Sequence, residues 1–194
     1  MEYTNKEIEK LEKQLDMHYG ENLGVYHEIV TEGKLHIDCM LYDTKIGNEE
    51  FYTVATIGMS KYTMETAIEG YNNIELMICM PKSWDYNKEV WPFNLLKLLA
   101  KMPCEMNAVL GPYHTVDIQS PIGKNEGLQA IFVEFPRNYL PKETIFELNK
   151  KTIRYLQIYP IYYSEMNEIM NGNEEVMEKV VNYPVFDEER NPVI

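Results

Sequence analysis

The chain opens with apolar residues at helical spacing inside an otherwise charged segment, which predicts an amphipathic helix with a narrow buried stripe. Thr4 followed by Glu7 is a capping-box pattern at its start, and Gly20 is a natural stop. The apolar positions of this helix are Ile8, Leu11 and Leu15.

From residue 25 the apolar positions alternate, which is the period of a β-strand. Residues 25–31 and 34–42 lie on either side of a Glu32-Gly33 turn and predict a β-hairpin. In the second arm one face holds Leu35, Ile37, Cys39 and Leu41, and the other holds His36, Asp38, Met40 and Tyr42. Residues 51–59 complete a predicted antiparallel meander of three strands.

The strongest helix pattern lies between Trp91 and Val116. Proline suits the first turn of a helix but interrupts its interior, so we expect this helix to begin near Pro92 and to end at Pro103. Its apolar positions cover a wide arc and predict deep burial against a sheet; they are Leu95, Leu96, Leu98, Leu99 and Met102. The preceding apolar run, residues 74–80, predicts a central strand buried on both faces.

The C-terminal half predicts four more strands and two short helices. The strands fall at residues 114–118, 129–135, 144–148 and 152–159. Helical spacing resumes at Tyr163 and again after Asn173, a good N-cap. The acidic tail, residues 183–194, has no periodicity and is predicted to fray.

Together these elements predict one α+β domain over residues 1–194. Its sheet is mixed but mostly antiparallel, with a buried central helix, an N-terminal helix and a C-terminal helix pair. No repeat, low-complexity tract or linker divides the chain.

Charge narrows the range of partners. The sequence carries 31 acidic and 18 basic residues, for a formal net charge of −13. This field opposes association with nucleic acid, and it favours a basic protein partner. Solubility alone explains it equally well.

Cysteine usage and hydropathy indicate a soluble cytoplasmic protein. Cys39, Cys79 and Cys104 make an odd count without CxxC spacing. Cys39 and Cys79 lie in apolar strand-like runs, so we expect reduced, buried thiols there. The first twenty residues have no signal-peptide core, and no apolar run reaches membrane-spanning length.

Two clusters of potentially reactive residues were considered as catalytic or metal sites. His18, His27 and His36, with Glu28 and Asp38 nearby, suggest metal ligands, but they fall on a helix and on two separate hairpin arms. Exposed histidines are the simpler interpretation.

Cys104, His114 and Asp117 suggest a nucleophile, a base and an orienting acid. His114 and Asp117 lie three apart on a predicted strand and point to opposite faces, which disfavours a triad. No glycine-rich phosphate loop is present. The sequence therefore predicts no catalytic residue, metal or cofactor.

Aromatic residues are unusually dense in the predicted loops. They serve equally well as buried anchors or as a protein contact surface. The residues are Trp84, Tyr86, Trp91, Tyr113 and Tyr139.

Five segments in one order resemble the Suppressor of fused-like domain family. They are HIDCML (36–41), TIGMSKYTM (56–64), ELMICMPKSW (75–84), the whole stretch 91–116 and the closing segment 158–180. The match covers residues 36–180, and its Gly-x-x-His-Thr loop ends at Thr115.

The resemblance implies a binding domain without enzymatic activity. Eukaryotic members bind a short transcription-factor peptide, which adds a β-strand in a cleft between two domains. Bacterial single-domain members are similar to immunity proteins encoded beside polymorphic toxins, and this chain resembles that second kind. The eukaryotic peptide site has an aspartate just before the loop histidine, where this chain has Tyr113.

The functional hypothesis is a cytoplasmic immunity protein that neutralises a basic toxin domain by direct binding. The predicted contact residues are Ser60, Trp84, Leu110, Tyr113 and His114. One alternative is a peptide-binding regulator that works by strand addition. Another is an enzyme or metal protein that uses His36, Asp38 and His114.

Overall fold

The computed structural model of the protein describes residues 1–28, 33–66 and 68–194. Over those ranges the chain forms one α+β unit around a single mixed sheet. The helices are α1 (Asn5–Tyr19), α2 (Trp91–Met106), α3 (Tyr163–Met170) and α4 (Glu174–Val181). The strands are β1 (Glu21–Tyr26), β2 (Asp38–Ile46), β3 (Glu49–Ile57), β4 (Ile74–Pro81), β5 (Thr115–Asp117), β6 (Leu128–Glu134), β7 (Ile145–Leu148) and β8 (Lys151–Tyr162). The predicted fold class is confirmed.

Strand β8 joins the two halves of the sheet. The strand order is β1-β2-β3-β4-β8-β6-β5, and β7 pairs with the start of β8. Among the described strands, β4 and β8 are the one parallel pair, with residues 74–77 beside residues 154–157. Parallel neighbours need a long crossover connection, and here that connection carries α2 across one face of the sheet.

Both faces of the sheet are covered, and β2 shows how the alternating pattern produces this. Cys39 and Leu41 belong to the core beneath α2, whereas Met40 and Tyr42 belong to the core beneath α1. The predicted division of this strand into two faces is confirmed. A third cluster packs α3 and α4 against β6 and β8.

The predicted N-terminal helix is confirmed as α1. The backbone amide and the hydroxyl of Thr4 both donate to Oε2 of Glu7, at 2.8 and 2.9 Å. The capping box therefore holds the first turn, while Leu11 and Leu15 are fully buried.

The predicted end of the central helix is wrong. Helix α2 continues past Pro103 to Met106, and it stops where Asn107 adopts a left-handed conformation with φ 50°. A proline this close to a C-terminus removes one backbone hydrogen bond, and the Pro103 carbonyl still accepts the amides of Asn107 and Ala108. Leu98 was also predicted to be buried but is 62% exposed, because the helix presents only one side to the sheet.

The predicted first hairpin is shifted. Strand β1 covers Glu21–Tyr26 rather than residues 25–31, and it pairs antiparallel with β2. Residues 29–31 of the predicted arm, and Glu32 of its turn, lie outside the described residues. The four C-terminal strands are confirmed, and Asn149 and Lys150 form the β7–β8 hairpin tip with φ of 50° and 67°.

The tail, predicted to fray, instead packs on the body of the protein. The amide of Phe186 donates to the Cys79 carbonyl at 2.8 Å, and its ring packs against Trp91. Arg190 is 7% exposed and forms a two-pronged ion pair with Glu165, with both nitrogen–oxygen distances at 2.7 Å. The polar composition of the tail does not reveal these contacts, because the residues that the tail contacts lie far away in sequence.

Cys39 and Cys79 are free and buried, as predicted, and Cys104 on α2 is free and buried as well. No helix in the described part of the chain is long and apolar enough to cross a membrane.

Candidate functional site

The loop that follows α2 holds a bulky, exposed residue in an unusual backbone conformation. Tyr113 lies there with φ 67°, a left-handed conformation that is rare for a bulky residue. Its amide donates to the Val133 carbonyl at 2.8 Å, and the Val133 amide donates to the His114 carbonyl at 2.9 Å. These two bonds fix the loop to the end of β6, so the strained backbone is held in place.

Tyr113 gains no burial from this conformation, since it is 63% exposed. A neighbouring groove of about 350 Å³ runs between the end of β6 and α4. We call it the Glu134 groove; its lining includes Tyr113, Phe132, Glu134, Phe135, Arg137 and Glu178.

Glu134 is the residue with the most unusual environment in this groove. It is 5% exposed, and its Oε1 accepts the Phe135 amide at 2.8 Å. Its Oε2 has no hydrogen-bond partner among the described residues. Burial raises the pKa of this carboxyl. The negative charge of Glu134 is in turn the main reason that the pKa of Tyr113 is raised.

Arg137 and Glu178 form the outer rim of the groove. The Arg137 Nη2 lies 3.0 and 3.1 Å from the two carboxylate oxygens of Glu178. Both side chains are substantially exposed. The guanidinium is thus committed to the rim carboxylate, while Oε2 of Glu134 remains unpaired inside.

His114 is exposed beside Tyr113, and its hydrogen bond in the described structure goes to neither Cys104 nor Asp117. Its Nδ1 lies 3.1 Å from the Val109 carbonyl, and Asp117 accepts the Gln119 amide at 3.0 Å. Cys104 is buried. The hydrogen bonds of His114 and Asp117 are therefore directed to the backbone and do not form the triad considered from the sequence.

Ser60 is a structural residue rather than a surface residue. It is fully buried, and its hydroxyl donates to Glu75 Oε1 at 2.5 Å and lies 2.8 Å from the Tyr3 hydroxyl. The amides of Gly58 and Ser60 also donate to Glu75, at 2.9 and 3.0 Å. Gly58 has φ 132°, and a Cβ there would collide with the His36 carbonyl.

These contacts explain why residues 56–60 belong to one of the five segments that carry the family resemblance. The Thr56 hydroxyl also donates to Glu75, at 2.6 Å. Residues from Thr56 to Ser60 therefore surround the Glu75 carboxylate, the one charged side chain in the apolar run of β4, with hydrogen-bond donors. A buried carboxylate requires such donors, and the segment supplies them.

Trp84 is likewise part of the core. It is 5% exposed, its indole nitrogen donates to the Glu89 carbonyl at 3.0 Å, and its ring packs against Tyr52, Tyr86 and Phe93. Leu110 is 1% exposed. Ser60, Trp84 and Leu110 are therefore buried in this structure, and their role as contact residues stays a prediction.

Tyr113 and His114 are the two predicted contact residues that reach the surface, and their role remains a prediction. The loop aromatics divide in the same way, because Trp84 and Tyr139 are buried anchors while Tyr113 is exposed. Sequence reasoning missed Glu134, Arg137 and Glu178. A lone acid at the end of the apolar run 129–135 was the available signal.

The histidines considered as metal ligands have other contacts. His27 Nδ1 and His36 Nε2 lie 3.3 and 3.2 Å from the two oxygens of Asp38, whereas His18 packs on the ring of Phe146. Across the described ranges there is no group of three or more His, Cys, Asp or Glu side chains suited to a metal ion. The His114 ring is hydrogen-bonded to the Val109 carbonyl in the loop after α2. The structure therefore gives no support to a joint site with His36 and Asp38.

Comparison with known proteins identifies the fold and the family. The family model for Suppressor of fused protein (SUFU) matches residues 33–190. No curated protein sequence matches the chain significantly.

Solved structures of similar fold come from bacteria and animals. A putative SUFU homologue from Neisseria gonorrhoeae has a TM-score of 0.68 at 16% identity, over 99% of this chain and 97% of that one. The Sufu–Fu complex gives 0.65 at 14% identity, over 95% of this chain and 88% of the other. Drosophila Suppressor of Fused gives 0.70 at 13% identity, over 98% of this chain but 52% of its own length. At these identities the likeness shows the shared fold, and the family match shows that this chain belongs to the Suppressor of fused family.

Proposed function

We propose that this protein is a non-catalytic protein-binding domain, and specifically a cytoplasmic immunity protein that neutralises a toxin by direct contact. Membership of the family supports the binding role, since one structure of similar fold is a complex of Sufu with Fu. Resemblance to bacterial single-domain members supports the immunity role.

The observation that carries the proposal is the strained, exposed Tyr113. A left-handed conformation costs an ordinary L-residue about 1–2 kcal/mol, and little burial offsets it here. Strain that the surroundings impose on an exposed side chain is typical of binding sites, because it presents the side chain in a fixed direction. Tyrosine is also enriched among interface hot spots. The contact surface is therefore centred on Tyr113, with His114 beside it.

The charge balance supports a basic partner. A formal net charge of −13 attracts a cationic toxin domain over a distance and speeds the encounter. The association rate should then fall as salt is added, because the attraction is screened.

The direct test uses the protein product of the neighbouring gene. Co-purification and calorimetry measure binding, and growth of cells that express the neighbour, with and without this protein, measures protection. We expect binding, protection and a loss of affinity of about tenfold or more in Tyr113→Ala. Tyr163→Ala is the matched control, because Tyr163 is 49% exposed at the start of α3, away from the loop. A neighbour that is harmless or unbound would remove the immunity role.

Strand addition is a second candidate, favoured by the position of β5. This three-residue strand is last in the strand order, so its outer side has no strand neighbour in the described structure. An extended peptide could pair there, next to Tyr113. Hydrogen exchange of the β5 amides distinguishes the modes, because strand addition would slow their exchange and a side-chain contact would not.

A further inference from the structure

Among the buried side-chain atoms that have no hydrogen-bond partner in the described structure, Oε2 of Glu134 belongs to a carboxylate, whereas the others belong to Tyr19, Tyr42 and Asn138. One oxygen of Glu134 is bonded to the Phe135 amide, and the other has no partner in the described structure. A buried acceptor without a donor costs about 1–3 kcal/mol, and more when it is charged. Glu75, the other acid within an apolar strand, receives five donated hydrogen bonds from residues 56–60.

Packing alone does not explain why a glutamate occupies this position. The strand residues before it, from Ala130 to Val133, are fully buried and apolar. A leucine or methionine would continue that pattern without leaving an unpaired oxygen. The cost of Glu134 therefore indicates a donor that arrives from outside the chain.

The surroundings indicate which donor fits. Aromatic side chains line the groove, and the faces of aromatic rings attract cations. Glu134 and Glu178 bring two carboxylates to it, against the single guanidinium of Arg137. That guanidinium is paired with Glu178 and also attracts Glu134, so these three side chains together leave one net negative charge in the groove.

We propose that the Glu134 groove receives a lysine or arginine side chain of the partner protein, with its cationic head beside the Glu134 carboxylate and its stem against the aromatic walls. Oε2 has almost no exposed surface in the unbound protein, so the cation reaches it after the side chains around the groove have moved. The inference rests on the proposed function, since it names what the partner places on the surface around Tyr113. Charge complementarity selects this occupant over an apolar side chain, which would leave Glu134 unpaired.

The test uses small mimics of those side chains and does not need the partner. Methyl and aromatic NMR spectra are recorded while n-butylguanidinium or n-butylammonium is added, with neutral N-butylurea as the control probe. We expect saturable shifts of Tyr113 and Phe135 with the cations, and much weaker shifts with the urea. Glu134→Gln should weaken cation binding about tenfold, because it removes the charge and keeps the shape. Glu126→Gln removes one charge at an exposed site and should leave binding unchanged.

Three results would overturn the inference. Equal chemical-shift changes with the cations and with N-butylurea would show that the groove binds the butyl chain and does not discriminate by charge. Cation binding that survives in Glu134→Gln would place the cation elsewhere. Self-association of the wild-type protein that Glu134→Gln abolishes, measured by sedimentation, would make a second copy of this chain the occupant. Each result leaves the binding test with the neighbouring gene product intact, so the two proposals fail separately.

Discussion

The ion pair between Arg190 and Glu165 allows a quantitative test of how the tail is held. Arg190→Met removes the guanidinium while keeping most of the side-chain volume. Both partners are almost completely buried, at 4% and 0% side-chain exposure. Removing one member of such a pair leaves an uncompensated buried charge, which costs about 3–5 kcal/mol.

Two features of the structure place the expected loss at the lower end of that range. Glu165 keeps the amides of Tyr162 and Val193 as donors, at 2.8 and 2.9 Å. The tail can also detach and expose the carboxylate to water, which limits the penalty. We therefore expect Arg190→Met to lower the unfolding free energy by about 3 kcal/mol.

Urea denaturation followed by circular dichroism and tryptophan fluorescence measures the change. The ring centroids of Phe186 and Trp91 lie 5.1 Å apart, so detachment of the tail should alter the tryptophan fluorescence of the native state. It should also reduce the denaturant slope, because less surface is then left to expose on unfolding. Lys179→Met is the matched control, because Lys179 pairs with Glu175 on the exposed face of α4. Its unfolding free energy should match wild type within error.

A double variant, with methionine at both positions 165 and 190, separates pairing from packing. It removes the buried charge altogether and leaves two part-buried amides without an acceptor, at about 1 kcal/mol each. We therefore expect a loss of about 2 kcal/mol, smaller than that of Arg190→Met alone. The reasoning is refuted if Arg190→Met loses less than about 1 kcal/mol while the tail amides stay protected from exchange. It is equally refuted if the double variant is the less stable of the two.

Three further predictions concern the site and its support. Ser60→Ala should lower the unfolding free energy by about 1–2 kcal/mol, because Glu75 loses a buried donor, and it should leave partner affinity unchanged in calorimetry. Tyr113→Asn should raise the unfolding free energy by up to about 1 kcal/mol, since asparagine tolerates the left-handed region, while partner affinity falls. Burial raises the pKa of Glu134 above its ordinary value of 4.5. Above pH 4.5 the folded protein therefore holds a proton that the unfolded chain has released, and the unfolding free energy should decline as the pH rises. Urea denaturation across that range should show a shallower decline in Glu134→Gln, and an identical pH dependence in the two proteins would contradict the assignment.

The regular elements were largely predictable because their apolar periods are local. The alternation in β2 and the spacing of Leu11 and Leu15 in α1 follow from residues a few positions apart. The predicted end of α2 is wrong because a proline near a helix C-terminus does not have to end the helix; Pro103 removes only one backbone hydrogen bond.

The site was less predictable because its features depend on contacts between distant residues. Ser60 occupies a recognisable family segment, but only the position of Glu75 shows that its hydroxyl faces inward. The same holds for Arg190, whose partner Glu165 lies 25 residues earlier. Glu134 is a lone acid at the end of an apolar run, but the sequence does not show that its Oε2 has no hydrogen-bond partner, because this depends on every surrounding side chain.

The parallel pairing of β4 with β8 has a consequence for folding kinetics. Strands β1 to β4 are joined by antiparallel pairing between sequence neighbours, so that half can form from local contacts. Residues 74–77 can pair with residues 154–157 only after a loop that spans most of the C-terminal half has closed. Such long-range pairing is slow. During synthesis β4 therefore has one unpaired edge until β8 has left the ribosome, and this apolar edge is the segment that most needs protection from aggregation.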